Sequence, residues 1–253
     1  MSTADADHID PDAINDQLIL VGGLSGDGKS ASLRNIRNQE RWMYLNAEAG
    51  KRLPFRNAFN TFRISEPYQV HEGMDYAIDN PNDVDGVIID SITFLMDMFE
   101  SQYILNASNT QQAWGAYAQF FKVLMQEKIT VFGKPVIIIA HILDKYDESA
   151  LEMKTSVPIK GSLKNNGVEA YFSTVVAARK VQLKDLEPYK SDLLTITEDD
   201  EDLGYKHVFQ TRLTRQTTGC RIRSPMGMFS KSQTYMDNDC QILLDHLSRF
   251  YGS

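Results

Sequence analysis

Gln17-Leu18-Ile19-Leu20-Val21-Gly22-Gly23-Leu24-Ser25-Gly26-Asp27-Gly28-Lys29-Ser30 decides how the rest of this 253-residue chain is read. Its first half is apolar, its second half is rich in glycine, and it ends on a lysine and a serine. Gly23, four residues, then Gly28-Lys29-Ser30 is the spacing of a phosphate-binding loop between a buried strand and a helix. Glycines at 23, 26 and 28 free the backbone for turns that a Cβ would obstruct. The N–H groups of Gly23, Leu24, Ser25, Gly26, Asp27, Gly28, Lys29, Ser30 and Ala31 can then line an anion seat. The spacing places Lys29 to reach the β- and γ-phosphates of ATP and the Ser30 hydroxyl to bind Mg²⁺. Leu18 to Val21 supplies the strand. Ala31 to Arg37, continuing to about Asn38, reads as the helix whose positive end faces the phosphates.

Working outward, the bulk properties exclude several classes. Hydrophobic content of 42% and charged content of 24% suit a globular chain able to bury a large α/β core. The longest apolar run, Val136 to Leu143, is strand-sized and interrupted by His141, so no membrane span is expected. The N-terminus lacks a basic-then-apolar leader pattern, and Cys220 and Cys240 form neither a metal spacing nor a disulfide framework. The cysteine usage fits a reducing cytoplasm. The net charge of −8 argues against nonspecific nucleic-acid affinity, so any such binding must come from a local basic surface. Residues 1–16 hold five Asp and no Lys or Arg, and read as a solvated, disordered lead-in that includes His8.

Further strands end in chemistry-bearing residues. Arg41 to Asn46 reads as a strand running into Glu48, where ligands of parallel sheets gather. A carboxylate there can orient a water towards a γ-phosphate, or it can be an ordinary loop glutamate. Thr61 to Ser65 is a short strand, and 68–80 a helix with His71 on its polar side. Val84 to Asp90 is an apolar strand whose terminal Asp90 is placed to reach Mg²⁺ beside Ser30, followed by Ser91 and Thr93 as candidate helix caps. Residues 92–105 and 111–132 read as helices, the second with a buried stripe of Trp114, Tyr117, Ala118, Phe121, Leu124 and Met125. Val136 to Ala140 is a buried strand ending at His141, which is either a γ-phosphate sensor or a structural histidine.

The second half is less regular. Residues 143–160 are polar and aperiodic and read as a mobile loop, closed by Lys160 and Lys164. Strands are expected at 172–181, 193–196 and 207–213, with the acidic run 198–202 as a solvated hairpin tip. From Leu203 to Met236 there is no Asp or Glu, while Lys206, Arg212, Arg215, Arg221, Arg223 and Lys231 are present. That asymmetry suggests a phosphate-contact surface, an arginine finger aimed at a neighbour's ATP, or a face balancing the acidic run. Asp237 or Asn238 is expected to cap a last helix within 237–251.

The set 23–30, Leu45-Asn46-Ala47-Glu48, Val87-Ile88-Ile89-Asp90-Ser91 and Ile137-Ile138-Ile139-Ala140-His141 resembles the RecA-core ATPases. Within these it is most similar to compact phage-encoded RecA/RadA-like proteins of single-strand annealing and recombination. The resemblance implies one domain over 17–253, α/β, with a mainly parallel central sheet flanked by helices and antiparallel strands added on the C-terminal side. It implies Glu48 as catalytic base, with Lys29, Asp90 and His141 completing the catalytic set. It further implies a single-stranded-DNA loop at about 143–160, a basic residue acting in trans from 212–223, and a homo-oligomer, ring or filament. A single-strand-binding protein as partner, and the cytoplasm of a bacterial host, follow from the same likeness. Two other functions compete: a P-loop small-molecule kinase, and an ATP-gated assembly or loader module with little turnover.

Overall fold

The computed structural model describes residues 15–149 and 151–252. All but Asn15 and Asp16 of the expected acidic lead-in, His8 included, lies outside the described residues. An eight-stranded sheet runs through the molecule. Its strands are β1 (Leu18–Gly23), β2 (Trp42–Asn46), β3 (Asn60–Arg63), β4 (Gly86–Asp90), β5 (Val136–His141), β8 (Thr174–Gln182), β9 (Tyr205–Gln210) and β10 (Tyr235–Asp237). Between β5 and β8, β6 (Leu143–Asp147) and β7 (Glu152–Ser156) form a separate antiparallel hairpin. The order across the large sheet is β10-β9-β8-β1-β5-β4-β2-β3. The pairs from β3 to β8 are parallel, and β9 and β10 join antiparallel at the C-terminal edge. The architecture is the expected one: a mainly parallel sheet, antiparallel strands at the C-terminal side, and helices on both faces.

Strand residues alternate between two cores, as a period of two requires. Leu20, Leu45, Ile89 and Ile138 face one apolar cluster with α1 (Gln69–Asp79), α2 (Ile92–Phe99), α3 (Thr110–Val123) and the turn α4 (Ile129–Phe132). Ile19, Val21, Tyr44, Ile88, Ile137 and Ile139 face the other. The short α5 (Leu163–Asn166) and α6 (Leu183–Leu186) flank β8, α7 (Glu198–Leu203) precedes β9, and α8 (Cys240–Tyr251) closes the second core through Leu243, Leu244 and Leu247. Among the described residues no helix is long and apolar enough to cross a membrane.

Several local expectations are corrected. The helix after the glycine-rich loop is a single 3₁₀ turn, Ser30–Leu33, not a run to Asn38. Side chains capture the groups a helix would need: Ser32 Oγ donates to the Lys29 carbonyl (2.6 Å), and the Arg37 N–H donates to Gln241 Oε1 (2.9 Å). Residues 198–202 form helix α7 rather than a hairpin tip, because Thr197 and Asp200 make a capping box and the acidic first turn suits a helix N-terminus. Residues 193–196 form no strand; the Leu193 carbonyl accepts the Asp237 N–H (2.8 Å) and its side chain joins the second core. Within 143–160, the stretch read as aperiodic loop contains the β6–β7 hairpin. Its register pairs Tyr146 with Met153, and Thr155 extends it by donating to the Gly219 carbonyl (3.0 Å). His71 is not on a polar face: it stacks on Phe120 at 4.5 Å, its Nε2 bonds the Phe120 carbonyl, and burial lowers its pKa. The cap of α8 is Asp239, one residue beyond the expected pair.

Candidate nucleotide-binding site

Register brings the strand ends together. Gly23 pairs with His141, Asn46 with Asp90, and Asp90 with Ile139, so β1, β5, β4 and β2 end side by side at the carboxyl edge of the sheet. Above that edge lies a cleft of about 840 Å³, lined by Ser25, Gly26, Gly28, Lys29, Ser30 and Ala31 of the loop, and by Glu48, Asp90 and His141. Gly26 (φ +84°) and Gly28 (φ +88°) take left-handed conformations that only glycine adopts without strain. Gly23 has an ordinary φ and is needed for space, since a Cβ there would lie 3.0 Å from the Ala178 carbonyl.

Of the nine nominated loop residues, Gly23, Leu24 and Asp27 shape the loop instead of lining the cleft. Asp27 Oδ2 accepts the Leu24 N–H (3.0 Å), and the carbonyls of Gly23 and Leu24 accept from Lys29 Nζ (3.0 and 2.8 Å). Burial lowers the Lys29 pKa, against the raising effect of Glu48, Asp27 and Asp90 nearby.

Asp90 is buried and its Oδ2 accepts two hydroxyls, Tyr44 at 2.7 Å and Ser30 at 3.1 Å. Its Oδ1 is buried with no hydrogen-bond partner among the described residues. Burial raises the Asp90 pKa, and the Tyr44 bond opposes this. These groups fit a small oxygen-seeking cation. Ser30 gives its proton to Asp90 and keeps its lone pairs, and Asp90 keeps an oxygen without a donor. Among the described residues no three His, Cys, Asp or Glu side chains form a metal cage. A cation here would therefore rely on Ser30, Asp90, water and phosphate oxygens, the usual set for Mg²⁺.

Glu48 is held from both sides. Its Oε1 lies 2.8 Å from His141 Nε2 and its Oε2 3.1 Å from Lys51 Nζ. The His141 bond first, and Lys51 as well, bring its pKa down to about 2 against the effect of burial. The turn that presents it is set by Asn46, whose Oδ1 accepts the Glu48 N–H (3.0 Å) and whose Nδ2 donates to the Lys51 carbonyl (2.8 Å). Ala49 (φ +49°) and Gly50 (φ +76°) complete this turn in left-handed conformations. His141 is oriented by its N–H to Thr93 Oγ1 (2.9 Å) and by an edge contact with Phe94.

The other nominated residues lie elsewhere. Arg212, Arg215, Arg221, Arg223, Lys160 and Lys164 do not line the cleft. Arg212 donates to the Phe229 carbonyl, Arg221 pairs with buried Glu169, Arg223 reaches the Glu169 carbonyl, and Lys160 pairs with Glu100. Sequence reading missed the cleft's far wall. His207 Nδ1 bonds the Asp27 carbonyl (3.1 Å) and Asn238 Nδ2 donates to the Gly28 carbonyl (2.8 Å), so the C-terminal strands brace the loop. Lys206, paired with Asp200 and Asp237, lines the same wall, and Tyr44, Lys51 and Arg52 line the near one. Only the run without Asp or Glu from Leu203 to Met236, which begins just before Lys206, signalled any of this.

Among curated proteins, none matches the chain. The family model described as AAA domain matches residues 15–218, from the strand before the loop to the segment after β9. With its glycine-rich loop, Lys29, Ser30 and Asp90 gathered at the carboxyl edge of a mainly parallel sheet, the chain belongs to the AAA domain family and is a P-loop ATPase domain.

Proposed function

We propose that the chain binds ATP with Mg²⁺ in this cleft, hydrolyses it to ADP and phosphate, and acts as a RecA-like homo-oligomer on single-stranded DNA in phage-type recombination, annealing or replication. The observation that carries the hydrolytic part is the meeting of the loop, the Ser30–Asp90 pair and the Glu48–His141 pair in one cleft. The DNA and assembly parts rest on the sequence resemblance.

The chemistry follows from the partners. Loop N–H groups and Lys29 hold phosphate oxygens and fix the γ-phosphorus for in-line attack. Bound Mg²⁺ would neutralise charge that develops on the β- and γ-oxygens. Glu48, ionised at neutral pH, accepts a hydrogen bond from the attacking water and orients it. Held ionised by His141 and Lys51, it is placed to take up the water's proton as the P–O bond forms. His141 holds Glu48 and adjoins Gly23 in register, so a change at the phosphate reaches both.

Steady-state phosphate release at low salt, with and without single-stranded DNA, tests the reading. Wild type should turn over ATP faster with DNA, and Lys29→Ala should lose nucleotide binding or turnover. Equal rates with and without DNA would remove the DNA part. Unchanged activity in Lys29→Ala would remove the site.

A further inference from the structure

The late basic segment is largely engaged within the fold, but a second cation-rich stretch is not. From Ala49 to Ser65 there is no acidic residue, while Lys51, Arg52, Arg56 and Arg63 are present in a chain of net charge −8. All four are exposed, and the side chains of Arg52, Arg56 and Arg63 make no hydrogen bond or ion pair among the described residues. Lys51 and Arg52 stand at the nucleotide cleft. Arg63 pairs in register with Asn46, and its stem crosses the turn behind Glu48, since a Cβ on Gly50 would lie 3.7 Å from Arg63 Cδ. Arg63 also lines a groove of about 320 Å³ at the sheet edge, where Phe62 and Tyr76 are 44% and 52% exposed. Lys51 and Arg52 at the cleft and Arg63 at the groove thus flank the glutamate's turn, and Phe62 and Tyr76 share Arg63's groove, which Glu72 also lines.

We infer that this surface binds single-stranded nucleic acid, with Arg52, Arg56 and Arg63 on backbone phosphates and Phe62 and Tyr76 against unstacked bases. Charge selects a polyanion from an acidic protein's point of view. Exposed rings beside a groove select unpaired bases over a duplex, whose bases are already stacked. The inference rests on the function proposed above for its partner class, and it moves the contact away from 143–160, where Lys154 pairs with Asp147 and Lys160 with Glu100. The strip begins at Lys51, whose ammonium holds Glu48, so a bound phosphate that draws Lys51 away alters the partners of the glutamate directly.

Anisotropy of a labelled oligothymidylate with the full chain tests this across a salt series. The triple variant R52Q/R56Q/R63Q should lower the slope of log affinity against log salt by about 2, from roughly 0.7 per lost phosphate contact on a single strand. Phe62→Ala should lose about tenfold in affinity with the slope unchanged, as for one stacked base. K145Q/K154Q on the hairpin should bind like wild type. These side chains are exposed, so unchanged thermal melting separates lost binding from lost folding. If wild type binds no oligothymidylate, both this inference and the DNA part of the proposed function fall. If wild type binds and the triple variant keeps its slope, only this inference falls. Loss in the triple variant with full affinity in Phe62→Ala would overturn the single-strand assignment in favour of a generic polyanion.

Discussion

Glu48 shows how neighbouring groups set a residue's role. Alone, a glutamate after a strand is unremarkable; between His141 and Lys51 it has a pKa of about 2 instead of 4.5. A depressed folded-state pKa stabilises the native state above the unfolded value, and the benefit is lost as pH falls through the folded value. The stability difference between wild type and Glu48→Gln should therefore shrink as pH falls from about 4.5 towards 2, read from urea midpoints. A difference that does not change with pH would contradict the pairing. Tyr44 offers a second test. Its hydroxyl is one of two donors to buried Asp90, and Tyr44→Phe should cost about 1–3 kcal/mol in denaturant unfolding. A neutral result would mean that Asp90 does not depend on it. The carboxylates, Lys29 and His141 were legible because each ends an apolar strand or a glycine-rich loop. Tyr44, Asn46 and Lys51 were not: their roles depend on β2 lying beside β4 and on the turn at 47–50, which no local pattern reveals.

Helices and strands were legible where periodicity was strong and obscured where polar side chains took over backbone bonds. The apolar runs at 18–23, 86–90 and 136–141 became strands with almost the expected bounds. After the loop, Ser32 and Gln241 end the helix within one turn, a competition that helix propensity does not contain. At 197–200 the capping box of Thr197 and Asp200 lies within an acidic run whose charge density masks the helix start. Thr197→Ala should destabilise the protein by about 1 kcal/mol through loss of that cap, measured by chemical denaturation. A wild-type midpoint would show that α7 stands without it. The element also bears on the site, because Asp200 holds Lys206 at the cleft wall (2.8 Å).

For the whole molecule, the cleft is an assembly of distant segments. Residues near 25, 48, 90, 141, 207 and 238 meet because β1 lies between β5 and β8, and β9–β10 extend the sheet beyond β8. The parallel core was legible from its motifs. The brace of His207 and Asn238 on the loop was not, because it joins groups about 180 and 210 residues apart. The sheet order also explains why Glu48 and Asp90 can face one phosphate chain from adjacent strands. ATP hydrolysis in this cleft with Glu48 orienting the water is tested most sharply at Glu48 itself. The measurement is binding of a fluorescent ATP analogue together with phosphate release, for wild type and Glu48→Gln under the same conditions. Glu48→Gln should retain binding with turnover reduced by about a hundredfold or more. Turnover equal to wild type in that variant would contradict the role of Glu48 in orienting the water.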